Sequence, residues 1–285
     1  MLWRHATGSL SLDRPRILGI VNVTPDSFSD GGRLGSLDHV RRHVDRLVAE
    51  GADVIDVGGE STRPQGAVRV DADEELRRVI PVVAAIVEDH SAIPVSIDTV
   101  KARVAAEALG AGASIVNDVS GFRLDADLPA VCARNGAGVV LMHSRGDITD
   151  MASLVHADYG SDVTGEVIAE LAACAAVAER AGIPTERVVL DPGIGFSKRG
   201  RHSLRILGEL SRLSSLGFPI LVGVSRKRFI GEITHIDVPA ERIAGTLGAN
   251  VAALDRGAVL FRVHDVKAAR EALDVAWAIM RSVHG

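Results

Sequence analysis

Short runs of apolar, mostly β-branched residues alternate with segments of helical periodicity along most of the chain. Eight of these runs are too short for a helix and nearly continuous in apolar character, which is typical of strands buried on both faces of a parallel sheet. They span Ile17–Val21, Val54–Val57, Val95–Ile97, Ser114–Val116, Val139–Met142, Val188–Leu190, Ile220–Val222 and Val259–Phe261.

Between these runs, apolar residues recur three and four positions apart, as in Val40, Val44 and Leu47, so one face of each segment is apolar. Glycine follows several of the segments, as Gly51 and Gly182 do, and is the common residue just past a helix end. The alternation therefore predicts eight units of strand followed by helix.

Eight such units without a linker predict an α/β fold of one domain, a (β/α)8 TIM barrel over residues 16–285. A doubly wound open sheet is the alternative. Residues 1–15 precede the first strand, and we expect them to cap the bottom of the barrel or to lie loosely over it.

Composition excludes several classes of protein. The apolar content of 47% supports a core, and a net charge of -5 with 3% aromatic residues disfavours binding of nucleic acid. The longest apolar run, Val79–Val87, is about half of what a membrane span needs. Two isolated cysteines, Cys132 and Cys174, suit a reducing compartment, so we expect a cytoplasmic protein. From the charge and the apolar runs we expect it to contact neither membrane nor nucleic acid.

Charged and polar residues follow the predicted strands, where a barrel carries its active site. An acid after a strand is often only a helix cap, and a lone Asn or His there is usually structural. Convergence from several strands into one barrel mouth favours a functional site. The residues that would converge, from four different strands, are Asp98, Asn117, Asp191 and Lys227.

The chemistry of these residues divides into two halves. Carboxylates, an amide and an ammonium at Asp98, Asn117, Asp191 and Lys227 suit a flat heterocycle with several donors and acceptors. A second set suits a polyanion such as a diphosphate, with Mg²⁺ held by oxygen ligands near Asn22. Its members are Asn22, Thr62, Arg63, Arg262 and His264.

Seven segments, in order, resemble the signature segments of the dihydropteroate synthase family. The resemblance extends from about Ile17 to the last predicted helix. The segments are Asn22–Gly32, Gly51–Pro64, Ser96–Thr99, Leu141–His143, Asp191–Lys198, Ser225–Lys227 and Arg262–Val266. One residue near Gln65 is extra relative to the usual family pattern.

The resemblance implies a Mg²⁺-dependent enzyme of folate biosynthesis. Such enzymes join 6-hydroxymethyl-7,8-dihydropterin diphosphate to p-aminobenzoate, are usually homodimers, and are sulfonamide targets.

The resemblance also assigns roles to single residues. Asp98, Asn117, Asp191 and Lys227 would bind the pterin, with Met142 and Phe196 packing nearby. Thr62, Arg63, Ser225 and Lys227 would border the p-aminobenzoate pocket. Asn22, Arg262 and His264 would bind the diphosphate, and Asn22 and Asp30 would serve the metal. The residues expected to carry catalysis are Asp98, Asp191, Lys227, Arg262 and His264.

Two other functions use the same barrel. A pterin-binding methyltransferase subunit would need the residues that bind the pterin but not Arg262 and His264, which would bind the diphosphate. A non-catalytic pterin-binding paralogue should have lost loop residues, yet Asn22, Asp30 and Arg63 are all in place.

Overall fold

The computed structural model describes residues 1–23, 32–60 and 70–282, and side chains in the helix that begins at Gly32 from Leu37 onward. Each of the eight predicted strands is there, within two residues at either end. The described strands are β1 (Leu2–His5), β2 (Gly8–Ser11), β3 (Arg16–Asn22), β4 (Val54–Gly58), β5 (Val95–Asp98), β6 (Ile115–Asp118), β7 (Gly138–Met142), β8 (Val188–Asp191), β9 (Ile220–Val222) and β10 (Ala258–Val263).

The strands β3 to β10 are parallel and pair in sequence order, and β10 pairs with β3 to close a barrel. The prediction of a TIM barrel is confirmed, and the open sheet is excluded. The helices are α1 (Gly32–Ala49), α2 (Ala72–Asp89), α3 (Ala102–Gly110), α4 (Leu128–Arg134), α5 (Val163–Arg180), α6 (Gly200–Gly208), α7 (Arg228–Thr234), α8 (Ile243–Asp255) and α9 (Val266–Ser282). No helix in these ranges is long and apolar enough to cross a membrane.

Helix α2 shows why these segments form helices against the barrel. Its first turn is capped by Asp71, whose side chain accepts a hydrogen bond from the Glu74 N–H at 2.8 Å. Val79, Val83 and Ile86 then fall on one buried face. Between β9 and β10 the chain forms two helices, α7 and α8, where the sequence pattern predicts one unit.

Alternation along the strands divides the barrel interior into an apolar and a polar layer. An apolar layer at the amino ends of the strands includes Leu18, Val54, Ile115, Val140, Val189, Leu221 and Leu260. Two residues further along a strand, the side chain points inward again. The next layer therefore contains Asp56, Asn117, Met142, Asp191 and Arg262, which lie at the carboxyl end of the barrel.

Strands β1 and β2 form an antiparallel hairpin at the amino end of the barrel. Trp3 is fully buried there, in one cluster with Leu12 and the apolar layer, and its Nε1 donates a hydrogen bond to the Arg187 carbonyl at 3.0 Å. The hairpin thus closes the end of the barrel opposite to the polar layer.

Candidate active site

Four strands contribute to one network of hydrogen bonds in the barrel mouth. Arg262 donates from Nε to Asp56 Oδ2 at 2.6 Å and from Nη2 to Asp98 Oδ2 at 2.7 Å. Asn117 Nδ2 donates to Asp56 Oδ2 at 3.2 Å. Because Asp56 is fully buried, the hydrogen bonds from Arg262 and Asn117 compensate its carboxylate for the loss of water. The network fixes one guanidinium, two carboxylates and one amide in the floor of the mouth.

Burial shifts the titration of the ionisable groups around this floor. It raises the pKa of Asp191 to about 6, although the Gly193 N–H donates to Asp191 Oδ1 at 2.7 Å and acts in the opposite direction. Burial also raises the pKa of Asp98, against the attraction of Arg262. Lys227 lies deep enough for desolvation, with Arg262 nearby, to lower its pKa to about 8. Such shifts near neutrality are common in active sites.

One wall of the mouth is apolar. Met142 packs in a cluster with Val100, Val119 and Met151, and Phe196 packs against it. The Lys227 Nζ lies 4.0 Å from the centre of the Phe196 ring, in a cation–π contact. Polar groups on the floor and an apolar wall suit a flat heterocycle whose edge carries donors and acceptors.

The rim of the mouth joins the loops after β9 and β10. Ser225 Oγ lies 2.9 Å from His264 Nδ1. Arg226 donates to both oxygens of Asp265, at 3.0 and 2.6 Å. His264 and Asn22 also line a groove of about 660 Å³ between α1 and α9, beside the mouth. The rim thus places an imidazole, a hydroxyl and an amide above the floor.

Comparison with known proteins identifies the barrel. The chain matches the family of pterin binding enzymes over residues 18–264. Dihydropteroate synthase from Synechocystis sp. is 44% identical over 268 residues, which cover 94% of this chain and 91% of that protein. The solved structure of Xanthomonas albilineans dihydropteroate synthase with 4-aminobenzoic acid is 46% identical, covers 95% of both chains and gives a TM-score of 0.88. That of Yersinia pestis dihydropteroate synthase with a sulfonamide drug is 38% identical, covers 99% of this chain and 100% of that chain, and gives a TM-score of 0.90.

The chain belongs to the dihydropteroate synthase family.

Most of the site residues expected from the sequence lie together at one end of the barrel. At the carboxyl ends of the strands lie Asn22, Asp98, Asn117, Met142, Asp191, Phe196, Ser225, Lys227, Arg262 and His264. Asp30, Thr62 and Arg63 lie outside the described residues, as does Gln65. Their roles stay predictions from the resemblance.

The structure gives Arg262 two partners beside the role expected for it. The sequence predicts that Arg262 binds the diphosphate, and the structure holds its guanidinium in the floor, between Asp56 and Asp98. Among the described residues, these two acids bind Nε and Nη2 and not Nη1. Arg262 is therefore a part of the floor, and its contact with the diphosphate stays a prediction.

Two buried polar residues near the site were not found from the sequence. Asp56 is one, although an acid within the apolar run Val54–Val57 is itself a signal, since a buried strand rarely carries a charge without a partner. Lys198 is the other. It is 1% exposed, and its place in a loop next to Arg199 gave no signal of burial.

Candidate metal ligands are few in the described part of the chain. No group of three or more His, Cys, Asp or Glu is placed there to hold a metal ion. Asn22 offers an amide oxygen at the end of β3. Mg²⁺ commonly keeps several waters and binds through one or two protein ligands and substrate phosphates. The donor set therefore fits Mg²⁺ held largely by a bound diphosphate.

Proposed function

We propose that this chain catalyses its family's reaction with the residues of the barrel mouth in separate roles. The bond from the methylene carbon of 6-hydroxymethyl-7,8-dihydropterin diphosphate to the diphosphate oxygen breaks, and the amine of p-aminobenzoate then attacks that carbon. The products are 7,8-dihydropteroate, pyrophosphate and the proton lost by the amine. The network of Arg262, Asp56, Asp98 and Asn117 carries this assignment, because it presents fixed polar groups to a flat ring.

The pterin would lie on the floor, edge-on to the polar residues. The carboxylates of Asp98 and Asp191 accept hydrogen bonds from ring N–H and amino groups, and Lys227 donates to the ring carbonyl. Asn117 can do both. Met142 and Phe196 cover the ring along the apolar wall. As the C–O bond breaks, positive charge spreads over the pterin, and the nearby carboxylates stabilise it.

The diphosphate would lie toward the rim, near Asn22 and His264. His264 and the Nη1 of Arg262 stabilise the negative charge that develops on the leaving group. Asn22, with Asp30 by resemblance, would hold Mg²⁺, which when bound supplies further positive charge to the diphosphate oxygens. Ser225 and Lys227 would border p-aminobenzoate, together with Thr62 and Arg63 by resemblance.

A coupled assay tests the function. We expect pyrophosphate release to require p-aminobenzoate and to match 7,8-dihydropteroate formation one to one. Asp191→Asn should bind the pterin substrate more weakly, since the amide cannot accept as a carboxylate does. Pyrophosphate release without p-aminobenzoate, or none with it, would contradict the assignment. EDTA should abolish product formation, and added Mg²⁺ should restore it.

Three further properties belong to the proposal. The protein is proposed to be cytoplasmic, in keeping with the buried, unpaired Cys132 and Cys174. It is proposed to form a homodimer, which sedimentation velocity can test. Because the Yersinia pestis relative was solved with a sulfonamide drug, we expect sulfonamides to compete with p-aminobenzoate here too.

A further inference from the structure

Lys198, in the loop after β8, is a lysine whose side chain is buried. Its Nζ lies 2.7 Å from His143 Nδ1, 3.0 Å from the Phe196 carbonyl, 3.1 Å from the Gly193 carbonyl and 3.4 Å from the His143 carbonyl. No carboxylate is among these contacts in the described residues. Burial lowers the pKa of Lys198 to about 7, against the attraction of Asp191 and Glu170. A buried ammonium is costly, so its position needs a reason.

The loop around Lys198 explains what the ammonium does. Gly193 has a φ of +65°, and a Cβ there would lie 1.9 Å from the His143 carbonyl oxygen. Ser197 also adopts a positive φ, +48°. These two turns aim the carbonyls of Gly193 and Phe196 at one point. Buried carbonyls need a donor. The ammonium donates to both carbonyls, and the Gly193 carbonyl also accepts from the Phe196 N–H at 3.0 Å.

His143 attaches the same ammonium to the preceding loop. Its Nε2 lies 3.0 Å from Glu170 Oε2, so Nε2 carries the proton and Nδ1 accepts from Lys198. Burial, followed by the Lys198 charge, lowers the pKa of His143 to about 4, which keeps the imidazole neutral and able to accept. Lys198 thus joins the loops after β7 and β8.

Both ends of the loop held by Lys198 contact residues that are proposed to bind the pterin. Gly193, whose carbonyl binds Lys198, donates its N–H to Asp191. Phe196, whose carbonyl also binds Lys198, places its ring against the Lys227 ammonium. We propose that Lys198 is a positioning residue: its ammonium fixes the turn that orients Asp191 and Phe196, and thereby sets the affinity for the pterin. The inference rests on the proposed function, in which Asp191 and Phe196 contact the pterin.

Lys198→Met tests the role, because Met has similar length but no donor and no charge. The control is Arg180→Met, which removes an exposed cation from the last turn of α5. Titration calorimetry with 6-hydroxymethylpterin and, separately, with pyrophosphate measures the two halves of the site. For Lys198→Met we expect pterin Kd to rise at least tenfold and pyrophosphate Kd less than twofold. Arg180→Met should change neither.

A structural lysine and a positioning lysine give different results. A lower Tm with an unchanged pterin Kd in the folded protein would overturn the proposal, as would equal losses for both ligands. If Lys198→Met does not fold, Lys198→Gln decides, because its amide keeps two donors without the charge. It should raise pterin Kd by about threefold or more, and an unchanged Kd would overturn the proposal.

The same titrations separate this inference from the function beneath it. Asp191→Asn should itself weaken pterin binding. If it does and Lys198→Met does not, only the role of Lys198 is wrong. If Asp191→Asn leaves pterin Kd unchanged, the pterin floor has been placed wrongly, and the role of Lys198 falls with it.

Discussion

At the scale of single residues, the site depends on charges that hold one another in place. Arg262 is bound by Asp56 and Asp98, and Asp56 in turn binds Asn117. Lys227 differs, because its ammonium touches an aromatic face rather than a carboxylate. Among the described charged groups of the floor, the Lys227 ammonium is therefore the one most available to bind a ligand.

Lys227→Ala should abolish most of the activity without unfolding the protein. The ammonium is expected to bind the pterin carbonyl, and no other described side chain of the floor supplies an ammonium. We expect kcat/KM to fall more than tenfold, or more than about 1.4 kcal/mol in transition-state stabilisation. Arg228→Ala is the matched control, since Arg228 is exposed and pairs with Glu232. A variant with more than a tenth of the wild-type kcat/KM would refute the role.

The shifted pKa values of Asp191 and Lys227 predict a bell-shaped pH dependence. Below about pH 6, Asp191 gains a proton and loses its capacity to accept from the pterin, so kcat/KM should fall as pH decreases. As pH increases, Lys198 loses its charge from about pH 7 and Lys227 from about pH 8, so kcat/KM should fall. Steady-state kinetics from pH 5 to pH 9.5 measures both limbs. Asp191→Asn should reduce the acid limb to the contribution of Asp98, whose pKa is also raised, and an unchanged acid limb in this variant would show that Asp191 does not contribute to it.

At the scale of elements, the strands were predictable because both of their faces are buried. Runs such as Val139–Met142 are apolar throughout, which a helix of the same length would not need to be. The polar ends of these strands also marked most of the site. The β1–β2 hairpin was not predictable in this way, because Gly8–Ser11 is partly exposed and carries little apolar periodicity. Lys198 was missed since its burial depends on a turn that only the folded loop creates.

The ion cluster of Lys101 shows how elements are joined next to the mouth. Lys101 precedes α3 and donates to Glu60 at 2.7 Å and to Glu75 of α2. Glu75 is fully buried, and burial raises its pKa although Lys101 opposes the shift. The ammonium therefore compensates a carboxylate that would otherwise be unpaired.

Lys101→Met should lower the free energy of unfolding by about 3 kcal/mol, since breaking a buried pair leaves one charge without a partner. The loss should shrink as the pH is lowered, because the pKa of Glu75 is raised in the folded state and protonation removes its buried charge. Urea unfolding at pH 5 and pH 8 measures it. Arg103→Met is the control and should be neutral, because Arg103 of α3 forms an exposed ion pair with Asp73 of α2. Equal effects of the two variants would contradict the prediction.

Across the whole molecule, the apolar residues that stabilise the barrel and the polar residues of the site lie at opposite ends. The apolar layer and Trp3 fill the amino end, whereas the polar layer and rim occupy the carboxyl end. Changes at the hairpin should therefore alter stability and leave the site intact.

Trp3→Ala should reduce the free energy of unfolding by about 3 kcal/mol, because a large buried side chain leaves a cavity. kcat should change less than twofold, as the hairpin is remote from the mouth. Leu2→Ala is the control in the same strand, since Leu2 is 52% exposed. Urea unfolding and steady-state kinetics check both statements, and a large loss of kcat in folded Trp3→Ala would show that the two ends are coupled.

The pairing of β10 with β3 also matters while the chain is being made. β3 ends at Asn22, and its partner β10 begins only at Ala258. At roughly 5–20 residues per second, the ribosome needs about 10–50 s to synthesise the segment between them. Throughout that interval the nascent chain has an incomplete sheet with two open edges, which favour aggregation. It also lacks Arg262 and His264, so we expect a product truncated before β10 to be inactive. With its sheet edges open, such a product would also be prone to aggregate and would be a substrate for chaperones and proteases.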